Sequence, residues 1–398
     1  MRSLAVLVSL LPVCATHAQA LVETVETGDV GSAWTLRNPT TGITFGPSTE
    51  AAHRGSYGVR LDDHEATLTN TFGPIYDADF ISTSSAAYSR VWVRQLSGNN
   101  LGGTNLFTTT WGLGGFWRAA HFFTSGGPGA ITVGDQGVDG TGAEHYRNSP
   151  TGFSLEDAGW HLLEASSLGR GTDAGVVTFA IDAKVVIRHD GVLAITDGFK
   201  KFGFGEDYVY GTGYQAVIDF DDIRVDVKPI ASRFSLLPVG EVVANHCFAM
   251  RLELDATFTL PDGGDPGALP APYPVAVAID GAGTLYDDVD CTMPISGPQL
   301  ANGSLGQTFH ALAPDGGTLM LTVRQNDGPN DFMPFSLPVV IAPFNGGTET
   351  SDGGTGGGGG GGGTVKDKSF YAAGCSAMPL GEGLLLLAAL LWRRSRRQ

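Results

Sequence analysis

The stretch Val176-Val177-Thr178-Phe179-Ala180-Ile181-Asp182-Ala183-Lys184-Val185-Val186-Ile187-Arg188 decides the fold class. Two runs rich in β-branched residues flank a two-residue turn, so residues 175–181 and 184–188 are predicted as the arms of a β-hairpin about Asp182-Ala183. Outward from it, residues 89–96 alternate, with Val91 and Val93 on one face and Arg90, Trp92 and Arg94 on the other. From residue 21 to 228, short apolar runs are broken by Gly, Asn, Asp and Pro at intervals of roughly 8–12 residues, with almost no helical periodicity. An all-β sandwich follows.

The chain has 398 residues and 58 glycines, enough for more than one small domain. A strand-like run ends at Pro229, and a glycine-rich stretch begins near Asn345. We therefore expect a first domain over 21–229 and a second over 230–345. In the second, residues 250–254, 275–279 and 319–323 read as strands, with a turn at Gly281-Ala282-Gly283. With 24 basic against 41 acidic residues, the formal charge is −17. Nucleic acid and anionic membrane surfaces need clustered Lys and Arg, and this balance argues against both as partners. Neutral glycans, calcium, or simple solubility fit this balance.

Both ends read as addresses. Arg2, the apolar run 4–13 and the small residues Ala18 and Ala20 make residues 1–20 a signal peptide. Eight consecutive glycines, Gly356 to Gly363, lie in a linker over 346–370. Residues 371–398 carry Gly374-Cys375, an apolar run from Leu384 to Trp392 and the arginines 393, 394, 396 and 397. Nine helical residues span about 14 Å, too short to cross a bilayer, so processing is expected rather than spanning. This tail resembles the C-terminal sorting signal of myxobacterial surface proteins. The resemblance implies a membrane sorting protease and a mature protein held at the cell surface or outer membrane through lipid on Cys375. With Cys14 and Cys375 assigned to the ends, Cys247 and Cys291 remain as a pair in an exported protein. A disulfide is expected, with zinc the rival and His246 the one histidine near them.

Gly159-Trp160-His161-Leu162-Leu163-Glu164 and Val177 to Asp182 with its return strand resemble the Trp-His strand and Ile-Asp-Gly hairpin of concanavalin A-like, or laminin G-like, jelly rolls. Ala183 stands where that hairpin usually has Gly. Glu23 to Trp34, Ala52 to Leu61 and Asp219 to Val225 likewise resemble the ends of carbohydrate-binding jelly rolls. Leu285 to Thr292 resembles a segment of bacterial immunoglobulin-like surface modules, with Cys247 where the partner cysteine is expected. These resemblances imply an N-terminal jelly roll followed by a smaller immunoglobulin-like sandwich that acts as a spacer or adhesion module.

On the closing strand, strict period two puts Asp219 and Asp221 on the inward face with Ile223, Val225 and Val227. Carbohydrate-binding jelly rolls share a structural calcium between such an Asp and a first-strand Glu, which makes Glu26, Asp221 and Asp222 the candidate ligands. Backbone or water contacts are the alternative. Asp219 and Asp221 also mimic the alternate spacing of glycosidase carboxylates, but a closing strand is the wrong place for them. Polysaccharide lyases of this fold use an Arg with a His/Tyr pair, for which Arg90, Arg94, His121, His145 and Tyr146 are available. Sugar rings stack on aromatics while polar groups meet their hydroxyls, and Arg90, Trp92, Arg94, Trp111, Trp117, Tyr146, Tyr208 and Tyr210 offer that mixture. Trp92 and Trp111 have a competing reading as core residues. Asp287, Asp288 and Asp290 read as a calcium set or as a solvated acidic turn. The expected function is non-catalytic binding of a glycan or matrix polysaccharide at the cell surface. The alternatives are a polysaccharide-degrading enzyme and a structural surface protein without a ligand.

Overall fold

A computed structural model of the chain describes residues 21–344, apart from 24, 64–67, 81–83, 99–101, 112–116, 126, 128, 139–143, 170–174, 192–198, 207, 259–272, 281, 302–303 and 326–331. The signal peptide, the glycine linker and the sorting tail with Cys375 lie outside the described residues. What is described is all-β: antiparallel sheets, with one short 3-10 turn at Thr49–Ala51.

The hairpin forms as expected. Strands Val176–Ile181 and Lys184–Asp190 pair with Ile181 opposite Lys184. Asp182 and Ala183 adopt φ of 51° and 57°, as a type I′ turn requires. His161 clamps the turn, its Nδ1 2.9 Å from Asp182 Oδ2, while Leu162 N donates to Asp182 Oδ1 at 2.9 Å. Ala183 is strained here because its Cβ opposes the left-handed region. Ala183→Gly should therefore stabilise the protein by about 0.5–1 kcal/mol, after allowing for the larger unfolded-state entropy of glycine. A lower melting temperature for the variant in calorimetry would contradict this.

The hairpin begins one sheet of a two-sheet sandwich of the jelly-roll type. Its order is Lys184–Asp190, Val176–Ile181, His161–Leu168, Ala87–Gly98, Ala216–Asp226, Gly58–Asp62 and Thr44–Ser48, with Leu21–Glu23 also paired to Ala216–Asp226. The second sheet runs Glu144–Ser154, Ala130–Val138, Trp117–Thr124, Gly102–Trp111, Phe199–Gly205, Ile75–Asp79 and Trp34–Arg37, with Val209–Tyr214 and Leu68–Thr71 attached beside Gly102–Trp111. Inward residues of both sheets, including Val91, Val93, Phe122, Phe179, Phe202, Phe204 and Phe220, form one core. Its rings meet partly edge to face, as Phe122 and Phe179 do at 5.4 Å.

From Ala231 a second core begins, between a five-stranded and a four-stranded sheet. The alternation of residues 250–254 is realised in Phe248–Ala256, where Met250, Leu252 and Leu254 are buried. Cys247 and Cys291 form a disulfide in this smaller sandwich, between segments that adjoin its five-stranded sheet, at a Cα–Cα distance of 5.8 Å. Its acidic turn is organised by Asp288, which accepts bonds from Thr292 N and Met293 N; the Thr292 hydroxyl and these N–H donors lower its pKa to about 2. The described chain up to the end of this sandwich belongs to one compact unit.

Candidate functional site

The outer face of the eight-stranded sheet carries Arg90, Trp92, Arg94, Asp219 and Asp221, and it uses them for assembly. Val91 and Val93 enter the core, so Arg90, Trp92 and Arg94 point away from it, as their alternation requires. No open groove holds Arg90 and Trp92. Arg90 is fully buried where the second sandwich packs on this sheet, its Nη1 donating to Ala231 O at 2.6 Å and its guanidinium carbon 5.4 Å from the Phe332 ring centre. Across the strands it pairs in register with Glu164, which accepts hydroxyl bonds from Thr257 at 2.7 Å and from Ser232. Tyr88, Ala180 and Phe258 seal the same junction. Trp92 is 4% exposed and stacks on the His53 ring at 4.1 Å between centres. The core reading of Trp92 therefore prevails over the ligand reading: loop 48–57 covers it.

The closing strand departs from strict alternation. Asp222 has φ 47°, and the register with Ala87–Gly98 slips between Asp221 and Arg224, so two residues oppose one. This bulge reverses the phase. Phe220 and Ile223 both reach the core, while Asp219 and Asp221 lie on the outer face with Arg94 and Trp92. The inward placement expected for the two acids is thereby overturned. Asp219 sits in register between Arg60 and Arg94, accepting from Arg60 Nε at 2.8 Å and Arg94 Nη2 at 2.6 Å. Arg94 also lies 4.7 Å from the Trp160 ring centre and donates to Glu50 O. Asp219 is thus a structural counter-ion, not a glycosidase carboxylate.

The proposed calcium ligands anchor the same loop. Asp221 accepts from the backbone N–H groups of His53, Arg54 and Asp222 at 2.7, 3.1 and 2.8 Å. Burial, with the neighbouring Asp222 charge, nonetheless pushes its pKa up to about 8. Asp222 faces the His53 ring at 3.5 Å, and Glu26 accepts from Ser56 N at 2.8 Å. Among the described residues no three His, Cys, Asp or Glu side chains gather as a metal cage. Through these N–H donors Asp221 and Glu26 pin loop 48–57 to the sheet.

A different face gathers polar side chains around one exposed ring. On the nine-stranded sheet, Val133 and Phe122 pair inward, so His121 and Gly134 face outward, as do Gln136 and Tyr146, which oppose each other. Registers extend this row from Asn148 through Gly134, His121, Thr108 and Gly203 to Asp77. Gly134 has a steric reason: a Cβ there would come within 2.6 Å of His121 Cε1 and 2.3 Å of Asn148 Oδ1. Thr108, His121 and Gln136 are recessed, whereas Tyr146 is 56% exposed at the edge strand. Lys201 at the far end bonds Asp77 at 3.2 Å, beside the Arg37–Asp77 ion pair.

Of the sequence candidates, this face carries Tyr146, which is exposed, and His121, which is buried and stacks on Phe123 at 5.1 Å. Trp111 and Trp117 pair with each other at the end of their two strands; their side chains, with those of His145 and Tyr210, lie outside the described ones. Tyr208 packs edge-on against Phe72 at 5.2 Å. Sequence reading missed Gln136, Asn148 and Thr108. Their signal was present as polar residues alternating with Val133, Phe122 and Phe107, but only strand register shows that they share a face.

The fold and this face define an all-β protein built of two sandwiches, the first of jelly-roll type. No family model matches the chain, and no curated protein matches it. Among solved structures it is similar to an endo-β-1,4-glucuronan lyase from the fungus Trichoderma reesei, at 11% identity and TM-score 0.40 over 53% of this chain and 96% of that one. It is also similar to domain 4 of an extracellular arabinanase from Geobacillus stearothermophilus, solved with arabinotriose, at 13% identity and TM-score 0.33 over 52% of this chain and 92% of that one. A third is an alginate lyase from Chlorella virus, at 12% identity and TM-score 0.37 over 52% and 98% of the two chains. None of these likenesses is close enough to bear on function.

Proposed function

We propose that the first sandwich binds a glycan, without cleaving it, on the outer face of its nine-stranded sheet. The observation that carries this reading is the exposed ring of Tyr146, with the exposed Asn148 on the same edge strand and Gln136 opposite Tyr146. An aromatic ring takes the apolar face of a sugar, and amide groups meet its hydroxyls. The lyase alternative draws on His121 and Tyr146 with Arg90 or Arg94, and both arginines belong to the other sheet, held by Ala231 O and Asp219. That separation favours binding over catalysis.

Retention of the full chain on a panel of insoluble and acidic polysaccharides tests the reading. Tyr146→Ala should weaken retention roughly tenfold, about 1.4 kcal/mol, with no change in melting temperature. Appearance of reducing or unsaturated ends would replace the binding reading by the enzymatic one. The same proposal places the mature protein outside the cell, held through Cys375. Undiminished surface retention of a Cys375→Ser chain would remove the tail from it.

A further inference from the structure

The two edge strands that end their sheets, Glu144–Ser154 and Lys184–Asp190, and Ala130–Val138 beside the first of them bring three residues together on the inward side of the first sandwich. Asp135 continues the inward series of Ile131 and Val133, and registers place Ser149 opposite Val133 and Arg147 opposite Asp135. His189 opposes core residue Val177 and therefore points inward from the other sheet. Ser149 Oγ lies 3.0 Å from His189 Nε2, and His189 Nδ1 lies 2.5 Å from Asp135 Oδ1.

We propose that Ser149, His189 and Asp135 form a nucleophilic triad that hydrolyses small acyl esters. Asp135 is fully buried and fixes the tautomer: with Nδ1–H donated to it, Nε2 is left to accept the serine proton. Arg147 Nη2 holds the other Asp135 oxygen at 2.6 Å and donates through Nη1 to Asp190 O, tying the two edges into one geometry. Although burial opposes ionisation, the His189 and Arg147 hydrogen bonds keep the Asp135 carboxyl below its usual range. Phe179 closes the inner side, its ring centre 5.9 Å from that of His189, so the acyl group taken is short.

In the reaction, Ser149 Oγ attacks the ester carbonyl carbon as its proton passes to His189 Nε2. The C–O bond to the alcohol then breaks, and the departing oxygen takes that proton. Water attacks the acyl-serine with His189 again as base, releasing the carboxylic acid and restoring the hydroxyl. The site faces the sandwich edge and is independent of glycan retention through Tyr146.

The test treats the full chain with a fluorophosphonate probe, with peptide mapping, and follows p-nitrophenyl acetate hydrolysis against pH. We expect one adduct, on Ser149, and a rate that rises as a histidine loses its proton. Ser149→Ala and Asp135→Asn should each lower hydrolysis by about a thousandfold or more. Absence of labelling in the unmodified protein, an adduct on another residue, or hydrolysis retained in Ser149→Ala would each overturn the proposal. Because the first readout needs no variant, a folding defect in Asp135→Asn leaves the test intact.

Discussion

Replacing Asp219 with Ala is expected to cost about 3 kcal/mol and to lower the melting temperature by roughly 6–12 °C. Asp219 is fully buried and stands on a central strand between Arg60 and Arg94, each about one-fifth exposed. Removing the carboxylate leaves two guanidiniums facing each other across the strand without their shared counter-ion. Glu50 stays paired with Arg60, but it is largely exposed and compensates little. The loss should also spread to loop 48–57, because Arg94 holds Glu50 O and the loop covers Trp92. Hydrogen exchange should therefore quicken at His53 and Arg54, whose N–H groups are bonded to Asp221. A melting temperature unchanged within about 1 °C would show that the Arg–Asp–Arg row contributes no net stability.

Removing the disulfide is the second large effect. Cys247 and Cys291 are 44 residues apart, and closing a loop of that length restricts the unfolded chain by about 4 kcal/mol on the chain-entropy account. Measured losses for such bonds run about 2–4 kcal/mol, and the smaller sandwich has less core to absorb them. The double variant Cys247→Ser, Cys291→Ser should unfold its second sandwich at lower denaturant, with polysaccharide retention by the first sandwich preserved below that transition. Equal urea midpoints for the oxidised protein and the double variant would refute it.

Local sequence accounted for the elements but not for their phase. The 176–188 hairpin, the face of Arg90, Trp92 and Arg94, and the disulfide were all legible, since a period of two, turn chemistry and cysteine pairing act over short range or by elimination. The closing strand was misread because a bulge inserts a residue without any marker in the local pattern; Asp222 takes a left-handed φ that Asp tolerates at modest cost. Trp92 and Arg90 are ambiguous in the sequence for another reason. A polar or aromatic residue on the outer face of a sheet is a ligand contact or a packing contact according to what covers it, and the covers are loop 48–57 and residues 231–258 and 332, distant in the chain.

The sequence by itself determined an all-β chain of two sandwiches, because alternation and turns are local properties that each segment carries alone. Only the tertiary structure decided which polar and aromatic side chains are covered, as Arg90 and Trp92 are, and which are exposed, as Tyr146 is. It also brought Asp135, Ser149 and His189 within hydrogen-bonding reach. Those three residues come from three strands in two sheets, and no spacing along the chain encodes their meeting. Register and sheet packing set it, since each strand fixes which way its side chains point and the core fixes how closely the two edges approach.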